Sequence, residues 1–263
     1  MSESKQPIQT SPREPTAEEI VAEAKRRVAR REEPGDGRDG ETRSPAERRT
    51  LLLLNRIIFW LSKHWLALFN GALLIYVGLP FVAPWLFVRG SESAARTIYR
   101  LYNHVCHQYP IRSWFLFGAQ AAYRPSGTLL PEAVQKDPFF LGSPTLGYKV
   151  AFCQRDVAIY ASMVLGGLVF AWLRKRRDVP PLPVWAYLVF GLLPMGLDGG
   201  YQLLSQLVTM MKPGLLPVYE SGPLARTITG ALFGLCSLAL VYPAIDDFFD
   251  DTRAQLASRY PWR

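Results

Sequence analysis

Two of the three cysteines and two of the three histidines fall in one stretch, Asn103 to Tyr160. It opens with Asn103-His104-Val105-Cys106-His107-Gln108 and closes with Cys153-Gln154-Arg155-Asp156-Val157-Ala158-Ile159-Tyr160. Thiolate, imidazole and carboxylate groups hold transition metals, and a thiolate pair with imidazole selects zinc, copper or iron over magnesium or calcium. Cys106, His107, Cys153 and Asp156 therefore form a candidate ligand set with zinc as the expected metal, and His104, one turn before His107, is the reserve. Closed by four protein ligands, such a site is structural; with a position left for water it is hydrolytic. Adjacent Cys106 and His107 point different ways on a helix, which counts against both binding one ion. The same cysteines offer a second chemistry. A Cys106–Cys153 disulfide would constrain the unfolded chain by about 3–4 kcal/mol. A reactive thiol, its acidity raised by Arg112, Arg155 or His107, is the third alternative. No catalytic group is assigned.

Whatever positions these groups is apolar. Four stretches stand out: Trp65–Val88, Val157–Leu173, Leu182–Leu197 and Leu224–Pro243. A bilayer crossing needs roughly 17–25 such residues, and Trp and Tyr at the edges suit the headgroup region. The expected fold is all-α: an integral membrane bundle of four transmembrane helices, with buried helices of a soluble protein as the alternative. The net charge of +8 could suggest nucleic acid. Its concentrated part, Arg174-Lys175-Arg176-Arg177, instead follows directly on an apolar span, where cytoplasmic anchoring residues belong. The bilayer is the expected partner and nucleic acid is not.

Arg48, Arg49, Arg56 and Lys63 precede the first span, so both basic flanks favour the cytoplasm. That puts both termini inside and residues 89–152 outside. The expected organisation is a charged tail over 1–47, an interfacial helix over 48–64, a membrane domain over 65–245 and a cytoplasmic tail over 246–263. Thr16 and Glu19 form a capping-box pattern that starts a surface helix over Thr16–Glu33. No signal peptide is expected, because the first apolar run lies far from the first residue. In the outer segment, Ser91–Tyr109 has helical periodicity, while Ser113–Phe117 and Tyr148–Phe152 have strand composition and pair as a short hairpin. Arg124–Gly142 reads as loop. Cys236 and Gly230-x-x-x-Gly234 read as helix-packing residues.

With that topology, further polar groups reach the same depth: Gln108, Arg112, Arg155, Asp198, Gln202 and Arg226. Charges beside membrane helices are costly unless paired. These six either surround the metal or bind an anionic group such as a lipid headgroup; the alternative is an internal network of Asp156, Arg155, Asp198 and Arg226 that only holds the four helices together.

The run Cys106-His107-Gln108, Arg112-Ser113, Cys153-Gln154-Arg155-Asp156 and Ile159-Tyr160 resembles the bacterial and archaeal membrane-protein family catalogued as domain of unknown function 2085. Pro194, Asp198-Gly199-Gly200, Gln202, Glu220-Ser221 and Arg226-Thr227-Ile228-Thr229-Gly230 are similar to that family's second half. The resemblance covers about Ala95–Tyr242 and implies a small multi-span membrane protein with no established activity. Many members carry Cys-x-Arg-Cys where this chain has Cys153-Gln154-Arg155-Asp156, so their implied set is a zinc-type thiolate pair with Cys and His. Here Asp156 replaces the last thiolate. Glu220-Ser221-Gly222-Pro223 departs from the usual Asn after Glu-Ser.

Three functions follow from these features. One is a membrane protein with a metal or thiol site at its outer face. Another is a scaffold or accessory subunit of a membrane complex, with a Cys106–Cys153 staple. The third is a small transporter or channel using Asp198 and Arg226, for which no internal repeat is found. Phosphate-binding glycine loops, nucleophile elbows, zinc-protease helices and dinucleotide fingerprints are absent from the sequence.

Overall fold

A computed structural model describes residues 44–124 and 130–260; the surface helix expected over Thr16–Glu33 lies outside them. The chain divides into two compact units, Met1–Ile57 and Ile58–Arg263. In the first, Ser44 and Glu47 form a reciprocal capping box. Glu47 Oε2 accepts the Ser44 N–H at 2.8 Å and Ser44 Oγ accepts the Glu47 N–H at 3.3 Å, with Pro45 in the first helical position. Helix α1 then runs Pro45–Val88. The interfacial helix expected over 48–64 and the span from Trp65 are thus one helix, since neither Gly nor Pro interrupts the chain between Ala46 and His64.

In the second unit, helix α2 (Glu92–Asn103) follows a turn at Gly90. It stops short of Tyr109, because Gln108 takes a left-handed conformation (φ 52°) before Pro110. A 3-10 turn over Pro110–Arg112 leads into strand β1 (Ser113–Leu116). The segment expected as plain loop contains a short helix α3 (Glu132–Gln135) and ends in strand β2 (Gly142–Ser143). Strand β3 (Gly147–Cys153) lies between the other two, antiparallel to both. The all-α expectation is corrected accordingly: the helices carry a three-stranded sheet where a two-stranded hairpin was expected. Ser113 pairs with Cys153 and Phe115 with Lys149, with an irregularity between Ser113 and Phe115. Gly147 (φ 82°) opens β3 because a Cβ there would lie 2.5 Å from the Leu116 carbonyl oxygen.

Helix α4 (Gln154–Leu173) follows β3 directly, with Cys153 as its N-cap. Next comes a helical run over Val184–Met211. It comprises α5 (Val184–Ala186), a π-helical segment (Tyr187–Leu192) and α6 (Leu193–Met211). The π segment ends just before Pro194, which has no N–H for the carbonyl four residues back. Helix α7 spans Pro223–Arg259. The cytoplasmic tail expected from residue 246 therefore begins as a continuation of the last helix. Among the described residues, three helices are long and apolar enough to cross a membrane: α1, α4 and α7. The fourth expected span, Leu182–Leu197, falls in the helical run that the π segment divides.

Helix α4 packs along α7, and Gly230 and Gly234 make that approach possible. A Cβ at Gly230 would sit 2.7 Å from the Arg155 carbonyl, and one at Gly234 would collide with Ser162 Oγ. At one end of this bundle Asp246 accepts from Trp65 Nε1 at 3.0 Å and from Arg174. At the other, Ala83 of α1, Tyr99 and Tyr102 of α2, Cys106 and Val150, Ala151 and Phe152 of β3 form one buried cluster. The chemistry-bearing stretch is embedded in this second end.

Candidate metal centre

Cys106, Cys153 and Asp156 come together, with their ligand atoms all within 4.8 Å of one another. Each arrives from a different local cause. Cys106 follows the end of α2, its N–H bonded to the Tyr102 carbonyl at 2.9 Å and its side chain turned into the buried cluster. Cys153 ends β3, and as N-cap of α4 its sulfur accepts the Asp156 N–H at 3.4 Å. Asp156 lies in the first turn of α4, where the helix dipole favours a carboxylate.

Cys153 has one S–H and two acceptors, Asp156 Oδ2 at 3.0 Å and the Cys106 sulfur. Donation from Cys153 lowers the Cys106 thiol against the opposing push of burial. The same interaction, then burial and the neighbouring negative charges, raises Cys153 well above the usual thiol range. Of the two, Cys106 is therefore the sulfur that gives up its proton more readily. All three cysteines are free. The third, Cys236, sits against Gly191, whose Cβ would be 2.9 Å from its own.

His107 is not brought into this group. Its neighbour Cys106 points inward, so its own ring is exposed and tilts against Tyr109 at 5.6 Å. Gln108 is buried but turns to other partners. Its side-chain amide donates to the Tyr99 carbonyl at 2.8 Å, and its carbonyl accepts from Lys149 Nζ at 2.7 Å.

The remaining singled-out residues form an ion-pair network on the same end of the bundle. Glu220 is its centre. It accepts from Arg112 Nε at 2.7 Å and Nη2 at 3.0 Å, from Arg226, and from Gln202 Nε2 at 3.2 Å. Arg226, only 2% exposed, also donates to the Ile111 carbonyl at 3.2 Å. Asp198 organises a second group: it accepts from Arg155, from Ser221 Oγ at 2.8 Å and from Tyr219 Oη at 3.1 Å. Asp198 and Gln202, four apart on α6, thus serve different carboxylate centres. Arg155 Nε and Gln154 Oε1 are buried without a hydrogen-bond partner among the described residues.

Residues 143–240 match the model of a family described as Predicted membrane protein (DUF2085). It is the family that the residue pattern resembles. The DUF2085 match takes in Cys153, Asp156, Asp198, Gln202, Glu220 and Arg226, whereas Cys106, His107, Gln108 and Arg112 precede it. The protein named Uncharacterized protein MJ1492, of Methanocaldococcus jannaschii, is 25% identical over 188 residues, which cover 70% of this chain and 93% of that protein. No solved structure matches the chain.

Sequence reasoning gave Glu220 no role of its own, although it is the hub of the network. It also passed over Lys149. The signal for Lys149 was a lone lysine inside the apolar strand Gly147-Tyr148-Lys149-Val150-Ala151-Phe152-Cys153. Its side chain is fully buried and donates to the carbonyls of Gln108 and Pro138, each at 2.7 Å.

Proposed function

We propose that this chain is a multi-span membrane protein whose outer face holds a transition metal, most fittingly zinc, through Cys106, Cys153 and Asp156. The observation that carries this reading is the convergence of two sulfurs and a carboxylate within 4.8 Å from three separate backbone positions. Zinc bound through sulfur at about 2.3 Å and oxygen at about 2.1 Å needs ligand atoms closer than about 4 Å. Small side-chain movements supply that closure. A bound zinc would contribute Lewis acidity and a lowered pKa for bound water. Cys106, at the end of α2, and Cys153 with Asp156, at the start of α4, would hold it, leaving one position for water or an incoming ligand. His107 would have to turn inward to fill that position.

In this reading the helical run Val184–Met211 is a fourth crossing, both termini are cytoplasmic, and residues 89–152 are extracytoplasmic. The basic residues before Trp65 and after Leu173 support it. Elemental analysis of the detergent-purified chain, free of any histidine tag, tests the site. Near-stoichiometric zinc, lost in Cys106→Ser, is the expected result; no metal in either form sinks the ligand set.

One observation favours a second reading. Cys106 and Cys153 approach each other from distant parts of the sequence, as a staple in an oxidising compartment would. The protein would then be a scaffold or accessory subunit of a membrane complex, closed by that disulfide. Intact mass after alkylation of protein prepared without reductant separates the two: three alkylated thiols under the metal reading, one under the disulfide reading. Removing residues 1–47 disrupts partner capture only under the second.

A further inference from the structure

A separate cavity of about 260 Å³, with Gln108 in its lining, lies between α2 and the segment Pro138–Leu141. Arg96, Arg100, Asn103 and Gln108 line one side of it, and Phe139 and Leu141 the other. Arg96 and Arg100 are one helical turn apart, on the same flank of α2. Arg100 makes no ion pair or hydrogen bond among the described residues. Arg96 has a loose pair with Glu92 at 3.5 Å, both side chains more than half exposed, and its guanidinium lies over the Phe87 ring at 5.6 Å. No carboxylate lines the cavity. The nearby Asp137 spends Oδ1 on the Phe139 N–H at 2.8 Å.

The walls are fixed from behind. Lys149 Nζ bonds the carbonyls of Gln108 and Pro138, which stand on opposite walls, and the Tyr99 hydroxyl bonds the Lys149 carbonyl. A buried amine, with no carboxylate in ion-pairing distance among the described residues, therefore backs a pocket that already carries two guanidinium groups. The other wall is apolar: Phe139 is 82% exposed, although its neighbours hold its backbone. Leu101 of α2 and Val105 just after it are each 59% exposed, and α2 begins just after the apolar span of α1. A helix with exposed apolar and basic residues suits the headgroup layer of a bilayer.

We propose that this cavity binds a phosphate-bearing group attached to an apolar body. The phosphate is held by Arg96 and Arg100, with Asn103 as a further donor, and the apolar part lies against Phe139 and Leu141. Paired guanidinium groups match phosphate oxygens in a way that lysine or a single arginine does not. The cavity suits a group the size of a phosphoglycerol. Two sources carry that chemistry, an acidic phospholipid of the surrounding leaflet and a soluble phosphate ester.

The test uses the full chain in a neutral detergent, titrated calorimetrically with dihexanoyl-phosphatidylglycerol, dihexanoyl-phosphatidylcholine and inorganic phosphate. Saturable binding of the phosphatidylglycerol is expected, weakened by about tenfold or more in the double variant Arg96→Gln, Arg100→Gln. It should be unchanged in Arg124→Gln, which removes one exposed charge outside the cavity. Inorganic phosphate that displaces the lipid at similar concentration assigns the site to soluble phosphate esters. Displacement only by the diacyl probe, with affinity also lost in Phe139→Ala, assigns it to the lipid. Equal binding by the double variant and the parent, or phosphatidylcholine binding as tightly as phosphatidylglycerol, overturns the proposal. Matching thermal midpoints of parent and variants show that the substituted residues, exposed as they are, leave the fold intact.

Discussion

Two polar regions share the sheet-bearing end of the bundle, and they differ in how much bonding capacity they have left. Around Glu220, two arginines and two glutamines, Gln202 and Gln206, converge on one carboxylate, and Arg226 spends further donors on the Ile111 carbonyl and on Gln202 Oε1 at 3.4 Å. Around Cys106, two sulfurs and a carboxylate share the Cys153 S–H and the backbone N–H groups of Gln108, Cys153 and Asp156, all of them uncharged donors. Sulfur lone pairs and carboxylate oxygens there stay unfilled. A saturated network resists change and holds helices in register; an unsaturated cluster of soft donors is where a metal or an oxidant can act. The contrast fits a structural role for the arginines and supports the proposed role of the cysteines as ligands.

The sharpest way to break the comparison is to remove the hub. Glu220→Leu leaves Arg226 buried without its counter-charge, and breaking a buried pair from one side costs about 3–5 kcal/mol. The expected outcome is a large drop in thermal midpoint, or failure to accumulate in the membrane. Recovery of most of that loss in Glu220→Leu, Arg226→Met would show that the orphaned charge was the cause. Asp198→Asn is the next step down. It keeps the shape but weakens charge-assisted bonds from Arg155, Ser221 and Tyr219, for about 1.5–3 kcal/mol. Denaturation in mixed micelles checks both values. If either substitution is neutral, the network is not what holds α6 and the Tyr219–Ser221 loop against α4 and α7.

Much of this layout was legible in the sequence because apolar length and periodicity are local properties. The spans starting near Val157 and Leu224 needed only a count of apolar residues, and Ser113–Phe117 with Tyr148–Phe152 needed only strand-forming composition. The capping box Ser44-Pro45-Ala46-Glu47 is equally local, since its Ser-x-x-Glu spacing is visible in the sequence. Other features were not local. The π segment depends on Pro194 seen from within a helix, and β2 exists only because β3 offers it an edge. His107 could not be separated from Cys106 by residue type, since which neighbour faces inward is set by how α2 packs on β3. Glu220 became a hub through three-dimensional convergence of Arg112 and Arg226, which lie far apart in sequence.

Lys149 sharpens the contrast from a third position, because it is neither paired nor reactive toward the cluster. Burial pushes its pKa down to about 7. Unfolded, the same amine keeps its proton to the ordinary lysine range near 10.4. Between those values the unfolded chain holds one more proton than the folded one, so stability rises with pH, by at most about 1.4 kcal/mol per pH unit. Below about pH 7 both states are protonated and the cost of burying the charge is fully present. The thermal midpoint should therefore increase from pH 7 to 9 in the parent protein and flatten over that window in Lys149→Met. A midpoint that falls with pH in the parent alone would mean that Lys149 stays charged and is stabilised where it sits.

The smallest expected effect is the most telling. In chelator-treated protein Cys106→Ala removes a small buried side chain and one weak acceptor, for about 1 kcal/mol, well below the loss in Glu220→Leu. Zinc added to a hundredfold excess over its dissociation constant should then stabilise the parent by about 2.7 kcal/mol and leave Cys106→Ala unmoved. Asp156→Cys, which adds a third thiolate to the ligand set, should strengthen the response, because zinc prefers sulfur to carboxylate oxygen in closed sites. A metal-free penalty as large as that of Glu220→Leu would put Cys106 among the scaffold groups. Then both regions would do one job, and the search for chemistry would move to the arginine-lined cavity that Gln108 also lines.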